Sequence, residues 1–465
     1  KVQNHKVGER CLVQTDYRQA RTAANSNAAF GYNFEGGLQE YTIIDERLSV
    51  DAETGDRLLI PVNDDLSRSA VCLVEPWACV EDSYATSERQ TIKAGGKLLV
   101  VAETGHGVVG LKESLSPDGP PAEITTFLCD EQQAKDVKEQ TGMDAEATWN
   151  GDKAPLEALG EQAFDDVVYF GAKKSTLEAL NHTLANECIM NVVTGGEEIG
   201  EKVSMGVGRL HYGMTRWIGT PTVDASDSYG IIPANGEIRD KDRIAVVGAG
   251  GPMGQMHVIR LLCVGKEALD MVATDFDDER LESLSALAQP LAEQNGHRLK
   301  VVNPQKDEPG SGFSYNAVMV PVPALVEKAI ADADEGCLVN IFAGIPAPTI
   351  HAIDLDTVIR KRVFLFGTSG STLADMKAVL SHVSAGDLDT NLSVDAVAGM
   401  AGGICGIKAV ENRTLAGKII VYPELHDLPL TPLEEIGKVY PSVGEKLREG
   451  KWTKEAEEEL LKVAK

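Results

Sequence analysis

RIAVVGAGGPMGQM, residues 243–256, decides the fold of this chain. IAVV is an unbroken apolar run, as expected of a strand buried on both faces of a parallel sheet. Gly248, Gly250, Gly251 and Gly254 then interrupt it, and MGQMHVIRLL resumes with helical apolar spacing. Such a strand-to-helix turn needs glycine, because a pyrophosphate must approach bare backbone and the helix must pack close to its strand. The N-terminus of this helix, where Pro252 and Met253 are candidate cofactor contacts, offers amide donors and partial positive charge to phosphate. A second apolar strand, MVAT, ends at Asp275, 21 residues past Gly254, where a carboxylate meets the ribose hydroxyls of NAD. That carboxylate repels the 2′-phosphate of NADP, although Arg280 nearby leaves NADP open. The glycines are spaced one residue wider than GxGxxG and read equally as GxxGxxG. The weight therefore rests on strand, turn, helix and acid together.

The same succession occurs upstream. KLLVVAETGHGVVGL (97–111) answers the glycine turn, FDDVVYFGAKKSTLEAL (164–180) answers FSYNAVMVPVPALVEKA (313–329), and GRLHYGMTRWIGT (208–220) answers IRKRVFLFGTSG (359–370). The lag is 144 residues from Gly110 to Gly254, 149 from Phe164 to Phe313 and 148 from Gly219 to Gly367. A nearly constant lag predicts an α/β chain with two tandem Rossmann-like, doubly wound parallel-sheet units, at 91–235 and 236–370. The polar stretch 223–242 reads as the linker between them. The first unit carries a literal GxGxxG at Gly105, Gly107 and Gly110, with Asp130 20 residues on. SLSPDGPPAE interrupts its crossover, so the second turn is the preferred dinucleotide site.

Composition bounds the function classes. The 465 residues hold 71 acids against 44 bases, a formal charge of -27, which opposes a nucleic-acid surface because phosphate neutralisation needs clustered Lys and Arg. No run approaches the roughly 18 apolar residues of a membrane span, and KVQNHKVGERCL lacks the apolar core of a secretory signal. Eight cysteines without a CxxC pair suggest neither a disulfide framework nor a zinc ribbon, which fits a reducing cytoplasm. The chain lacks an initiator methionine, so the reading allows for a start inside a domain.

Residues 1–90 read as β-rich: CLVQT, the alternating LQEYTIID and RLLIPV are short apolar runs between turn residues. From about residue 91, LLVVA, ITTFL, DDVVYF and CIMNVV are buried-strand candidates, with STLEALNHTLANE as an amphipathic helix among them. The tail TKEAEEELLKVAK reads as a solvated terminal helix.

GERCLVQTDY, GGLQEYTIIDE, LVEPWACVEDSY, the second glycine turn and IRKRVFLFGTSGSTLADM resemble the zinc-type medium-chain dehydrogenase/reductases of the polyol dehydrogenase side. The likeness is strongest to L-sorbose 1-phosphate reductase-like alcohol dehydrogenases, including the tail LTPLEEI and VYPSVGEKLREGKW. The resemblance implies a GroES-like catalytic domain, present in part as residues 1–90 and completed by residues 371–465, around a Rossmann cofactor domain. It implies hydride transfer between a nicotinamide and a polyol, ketose or sugar phosphate in a cytoplasmic homo-oligomer. Glu75 matches the carboxylate that relatives place near catalytic zinc, and a Glu-Pro after a strand would aim such a ligand. The other ligands precede the segment matching KVGER, and the expectation is that they lie upstream of residue 1, since His5 sits too close to that segment. Only Cys11 falls in the region of the relatives' structural zinc lobe, so no structural zinc is expected.

By the same resemblance, Ala343, Gly344 and Ile345 in IFAGIP (341–346) lie along the nicotinamide; Thr368 in GTSGS (367–371), at the end of the next strand, is expected to close the same crevice, because ligands of open α/β sheets sit beyond strand C-termini. The bland readings are a core role for Cys79, loop capping for His106, and packing for His257, Trp77 and Trp217. Arg209, His211 and Tyr212 read as an ordinary βα loop with an outside claim on a sugar phosphate. Two other classes stay open: a zinc-independent reductase of the quinone reductase type, and a non-catalytic NAD-binding or assembly subunit.

Overall fold

The computed structural model describes residues 4–22, 27–51, 54–144, 147–149 and 159–464. Six parallel strands form the first sheet: β1 (Lys97–Ala102), β2 (Glu123–Phe127), β3 (Ala147–Trp149), β4 (Phe164–Phe170), β5 (Leu184–Val193) and β6 (Arg216–Thr220). Their order is β6-β5-β4-β1-β2-β3. The second sheet holds β7 (Arg243–Val247), β8 (Asp270–Thr274), β9 (Arg298–Val302), β10 (Phe313–Val318), β11 (Ala333–Ile341) and β12 (Phe364–Phe366), in the order β9-β8-β7-β10-β11-β12. Both are the doubly wound dinucleotide order, with the direction of winding reversing beside the first strand of each unit. The tandem α/β expectation therefore holds strand for strand.

The strands read as continuous apolar runs because helices cover both faces. Leu98 to Ala102 of β1 and Ile244 to Val246 of β7 are all buried. One buried cluster joins Val100 and Ala102 of β1 to Ile244 and Val246 of β7, and another joins Leu99 and Trp217 to Val339 and Ile341. The two sheets thus share their hydrophobic interior. Trp77 and Trp217 are fully packed within it, as expected.

Several local readings are corrected. LVEPWACVEDSY is helical, forming α1 (Val74–Ala85), so Glu75 and Pro76 lie in a first helical turn rather than after a strand. Val74, Trp77, Ala78 and Tyr84 explain the change: their 3–4 residue spacing places them on one buried face. LQEYTIID forms no strand, and Tyr41 and Ile43 stand exposed. The β reading holds for Cys11–Val13, paired antiparallel with Leu59–Pro61. STLEALNHTLANE is α-helical only to Leu180, a 3-10 turn covers Asn181–Thr183, and Leu184 already opens β5.

The C-terminal residues return to the N-terminal ones. The helix Lys454–Val463 is not merely solvated: Glu457 is buried and accepts from the amides of Arg68 and Ser69, at 2.5 and 2.8 Å, and from the Tyr422 hydroxyl. The helix Leu373–Ala385 packs on α1.

Candidate functional site

The second glycine turn is built as its sequence requires. Gly248 adopts φ +84°, and a Cβ there would stand 2.2 Å from Val320 in the loop after β10. A Cβ on Gly254 would lie 2.3 Å from the Gly248 carbonyl oxygen and 2.7 Å from the Cα of Ala249. Only glycine lets the following helix, α4 (Pro252–Cys263), sit this close to β7. Pro252 takes the position whose missing N–H is harmless, and the Gln255 amide is the first to close the ladder, onto the Gly251 carbonyl at 2.9 Å. The preceding amides point out of the helix end, beyond the carboxyl edge of the sheet.

Asp275 faces this turn. Its Oδ2 accepts from the Gly250 amide at 3.0 Å and its Oδ1 from the Asp277 amide at 3.2 Å. Phe276 beside it is exposed. Arg280 is committed elsewhere, donating to the backbone carbonyls of Arg413 and Leu415 at 2.9 and 3.2 Å.

On the other side of the crevice, the Ala343 amide binds the Val318 carbonyl at 2.9 Å, and the Ile345 amide folds back onto Ala343 at 2.8 Å. A Cβ on Gly344 would lie 2.9 Å from the Tyr212 hydroxyl. Thr368 is buried, and its hydroxyl has no partner among the described residues. The Gly367–Ser371 loop is held by Gln14, whose amide donates to the Ser371 carbonyl at 3.2 Å.

Glu75 lies beside Thr15, next to the Gln14 that holds the Gly367–Ser371 loop. Its Oε1 accepts from the Thr15 hydroxyl at 3.1 Å and from the Cys79 thiol at 3.6 Å. Burial, reinforced by the Glu75 charge, pushes the Cys79 thiol up to about 12, so it is neutral at ordinary pH. Lys418, on the strand Lys418–Val421, reaches into the same space with its Nζ 3.2 Å from the Met253 sulfur. Burial lowers its pKa from the ordinary value, while Glu75 and Cys79 oppose that shift. Lys418 is the residue that sequence reasoning missed. The signal available was a cation opening the apolar run KIIV, which by itself also reads as a strand end.

A zinc ion does not fit the described residues at Glu75. Among the described residues the carboxylate is joined by one thiol, with no imidazole among its partners and a lysine near by, whereas catalytic zinc takes three protein ligands. Among the described residues, the one cluster with metal-binding donors close together is His5, Glu9 and Cys11. Arg57 already occupies it, binding Glu9 at 2.5 and 3.0 Å and His5 at 2.5 Å, and holds the Glu9 carboxyl down at about 2.

Other sequence candidates are structural. His257 is fully buried between α4 and α1, 2.7 Å from the Tyr84 hydroxyl. Arg209 donates to the Leu184 carbonyl and the Asn186 side chain, and His211 Nδ1 lies 3.2 Å from the Ile341 carbonyl. Next to His257, Arg260 is clamped by Glu81 and Glu237 and lies 4.2 Å over the Tyr84 ring. Burial opposes its charge, but the two carboxylates outweigh that and raise its pKa. This buried ion cluster locks the Glu75 helix onto the glycine-turn helix.

No protein-family profile matches the chain. Among curated proteins it is 28% identical over 252 residues to a protein of Escherichia coli K12 described as "Uncharacterized protein YggP", covering 48% of this chain and 57% of that one. It is 26% identical over 224 residues to mannitol-1-phosphate 5-dehydrogenase of Aliivibrio fischeri, covering 43% and 50%. The chain thus spans about half the length of the curated relatives it matches. Similar solved structures include the alcohol dehydrogenase TADH from Thermus sp. ATN1, at 20% identity, 40% and 54% coverage and a TM-score of 0.33. Another is L-idonate 5-dehydrogenase from Escherichia coli, at 16% identity, 39% and 50% coverage and a TM-score of 0.32. These structural neighbours are consistently alcohol and polyol dehydrogenases, each overlapping less than half of the chain. Among the described residues no helix is long and apolar enough to cross a membrane.

Proposed function

We propose that the protein is a nicotinamide-dependent oxidoreductase that binds NAD at the second glycine turn and acts on a polyol, ketose or sugar phosphate. The observation that carries this reading is the Asp275 carboxylate, held by the Gly250 amide at the end of β8 beside the open end of α4. A carboxylate so placed accepts from adenosine-ribose hydroxyls and repels a 2′-phosphate. Arg280 donates through Nη2 to two carbonyls and keeps its charge beside the turn, which leaves NADP as the second cofactor the titration must compare. Exposed Phe276 gives the adenine a flat neighbour, and Lys418 brings positive charge to the pyrophosphate end of the turn.

The bound nicotinamide supplies the hydride. The chain's share is to aim the ring and the substrate carbon at one another and to exclude water. Ala343, Gly344, Ile345 and Thr368 form the wall along which the ring lies. Glu75, Thr15 and Lys418 line the polar end, where an acceptor carboxylate, a hydroxyl and a cation together suit a polyhydroxylated or phosphorylated substrate. The mannitol-1-phosphate 5-dehydrogenase relative supports that substrate class. No step is routed through zinc, and metal analysis of the purified protein separates a zinc-assisted enzyme from a zinc-independent reductase.

The test is NADH and NADPH titration by fluorescence on the native protein and on Asp275→Ala. The native protein binds NADH in preference to NADPH, and Asp275→Ala narrows that preference at least tenfold. Full retention of NAD preference in the variant refutes the assignment of the second turn.

A further inference from the structure

The lag between the two units reappears where they touch. Val203–Met205 pairs antiparallel with His351–Ile353, and the central couple is Ser204 opposite Ala352, 148 residues apart, the same lag that separates Gly219 from Gly367. Equivalent residues therefore face one another, as they do where two copies of a subunit meet on a two-fold axis. The surrounding contacts are reciprocal. A Cβ on Gly219 would lie 2.7 Å from Ile359, and one on Gly367 would lie 3.1 Å from the Cα of His211, which precedes Ile359 by the same 148 positions. Asp356 accepts from the amides of Ile199 and Gly200 at 2.9 and 2.8 Å, while its counterpart Gly208 packs on Pro346 and Ala347. The last strands of the two sheets, β6 and β12, also pack together.

The first unit's own glycine turn is closed by the chain itself. Gln133 donates to the carbonyls of Glu103 and His106 at 3.0 and 2.7 Å, and Gln140 to that of Val108 at 2.6 Å. Asp130 caps the helix that carries both glutamines, its carboxylate taken by the Gln133 amide at 2.8 Å. Asp224 stands over Gly110, where an added Cβ would come within 1.9 Å of its carboxylate. The helix after the turn lasts four residues, Leu111–Ser114, against twelve in the second unit. The cavity left at Gly105, His106 and Glu197 is about 190 Å³.

We infer that the first unit is a built-in subunit: within one chain it supplies the self-complementary contact that otherwise takes two copies, and it has given up its own nucleotide site, so that each chain holds one dinucleotide. The stoichiometry rests on the reading under Proposed function; the junction does not. Two measurements on the native protein test it. Calorimetric NADH titration is expected to give one site per chain; two sites overturn the closed first turn, and none removes the proposed function and the single-site claim with it. Carbodiimide coupling of an equimolar mixture of ¹⁴N- and ¹⁵N-labelled protein is expected to join Lys202 to Glu327, an ion pair across the junction. Cross-linked peptides that carry one isotope show the contact inside the chain, whereas isotopically mixed pairs or the absence of the link overturn the built-in junction.

Discussion

Acid destabilises this protein through His257, and the effect has a calculable size. The imidazole is fully buried, its Nδ1 2.7 Å from the Tyr84 hydroxyl, its Nε2 without a partner among the described residues, and the Arg260 guanidinium adjacent. Burial first, and the Arg260 charge second, lower its pKa from 6.5 to about 3. A depressed folded pKa contributes stability that is fully present above the unfolded value and is lost as pH falls toward the folded one. Between pH of about 7.5 and 4.5 the native ring stays neutral while the unfolded ring takes up a proton, a loss of about 2.6 kcal/mol at about 1.36 kcal/mol per unit. The full difference, about 5 kcal/mol, is reached only below about pH 3. Other groups titrate over the same range, so the comparison is with His257→Gln, which keeps a polar partner for Tyr84 but cannot ionise. Urea unfolding followed by tryptophan fluorescence at both pH values gives the two stabilities of each protein. The native protein is expected to lose about 2.6 kcal/mol more than the variant over this interval. Parallel losses, within about 0.5 kcal/mol, would show that His257 is not held neutral, and that the α1–α4 junction is wetter or looser than described.

Gly254→Ala places a Cβ 2.3 Å from the Gly248 carbonyl and 2.7 Å from Ala249, both backbone, so α4 must move off β7. NADH affinity measured by fluorescence falls at least tenfold; unchanged affinity disconnects this turn from the cofactor. Arg260→Leu leaves Glu81 and Glu237 without their shared cation at a part-buried site. A loss of about 3–5 kcal/mol in denaturant unfolding is expected, and one below about 1 kcal/mol would mean that water already solvates those carboxylates.

The legible parts of the chain are those whose causes are local. Apolar runs bounded by glycine were enough for β1, β4 and β7, because a strand covered on both faces admits little that is polar. The misread parts are those where two periods fit equally. LVEPWACVEDSY holds apolar residues at positions that suit either a short strand or a helical face, and α1 becomes helical because Trp77 and Tyr84 find the shared core. LANE, at the end of a helix-like stretch, turns into β5 because a parallel neighbour is already in place at β4. Lys418 was silent for a related reason: the residue it approaches, Met253, lies 165 positions away.

By itself the sequence determined the two-fold repetition and the class of sheet, since strand burial and glycine conformations are set by neighbours along the chain, and it singled out the turn proposed here for a dinucleotide. Only the tertiary structure decided what each copy became. Gln133 and Asp224 reach the first turn from other segments, while Lys418 arrives at the second from the C-terminal part of the chain. Two turns so similar in sequence diverge because occupancy depends on which side chains the fold brings over them, and no spacing along the backbone records that.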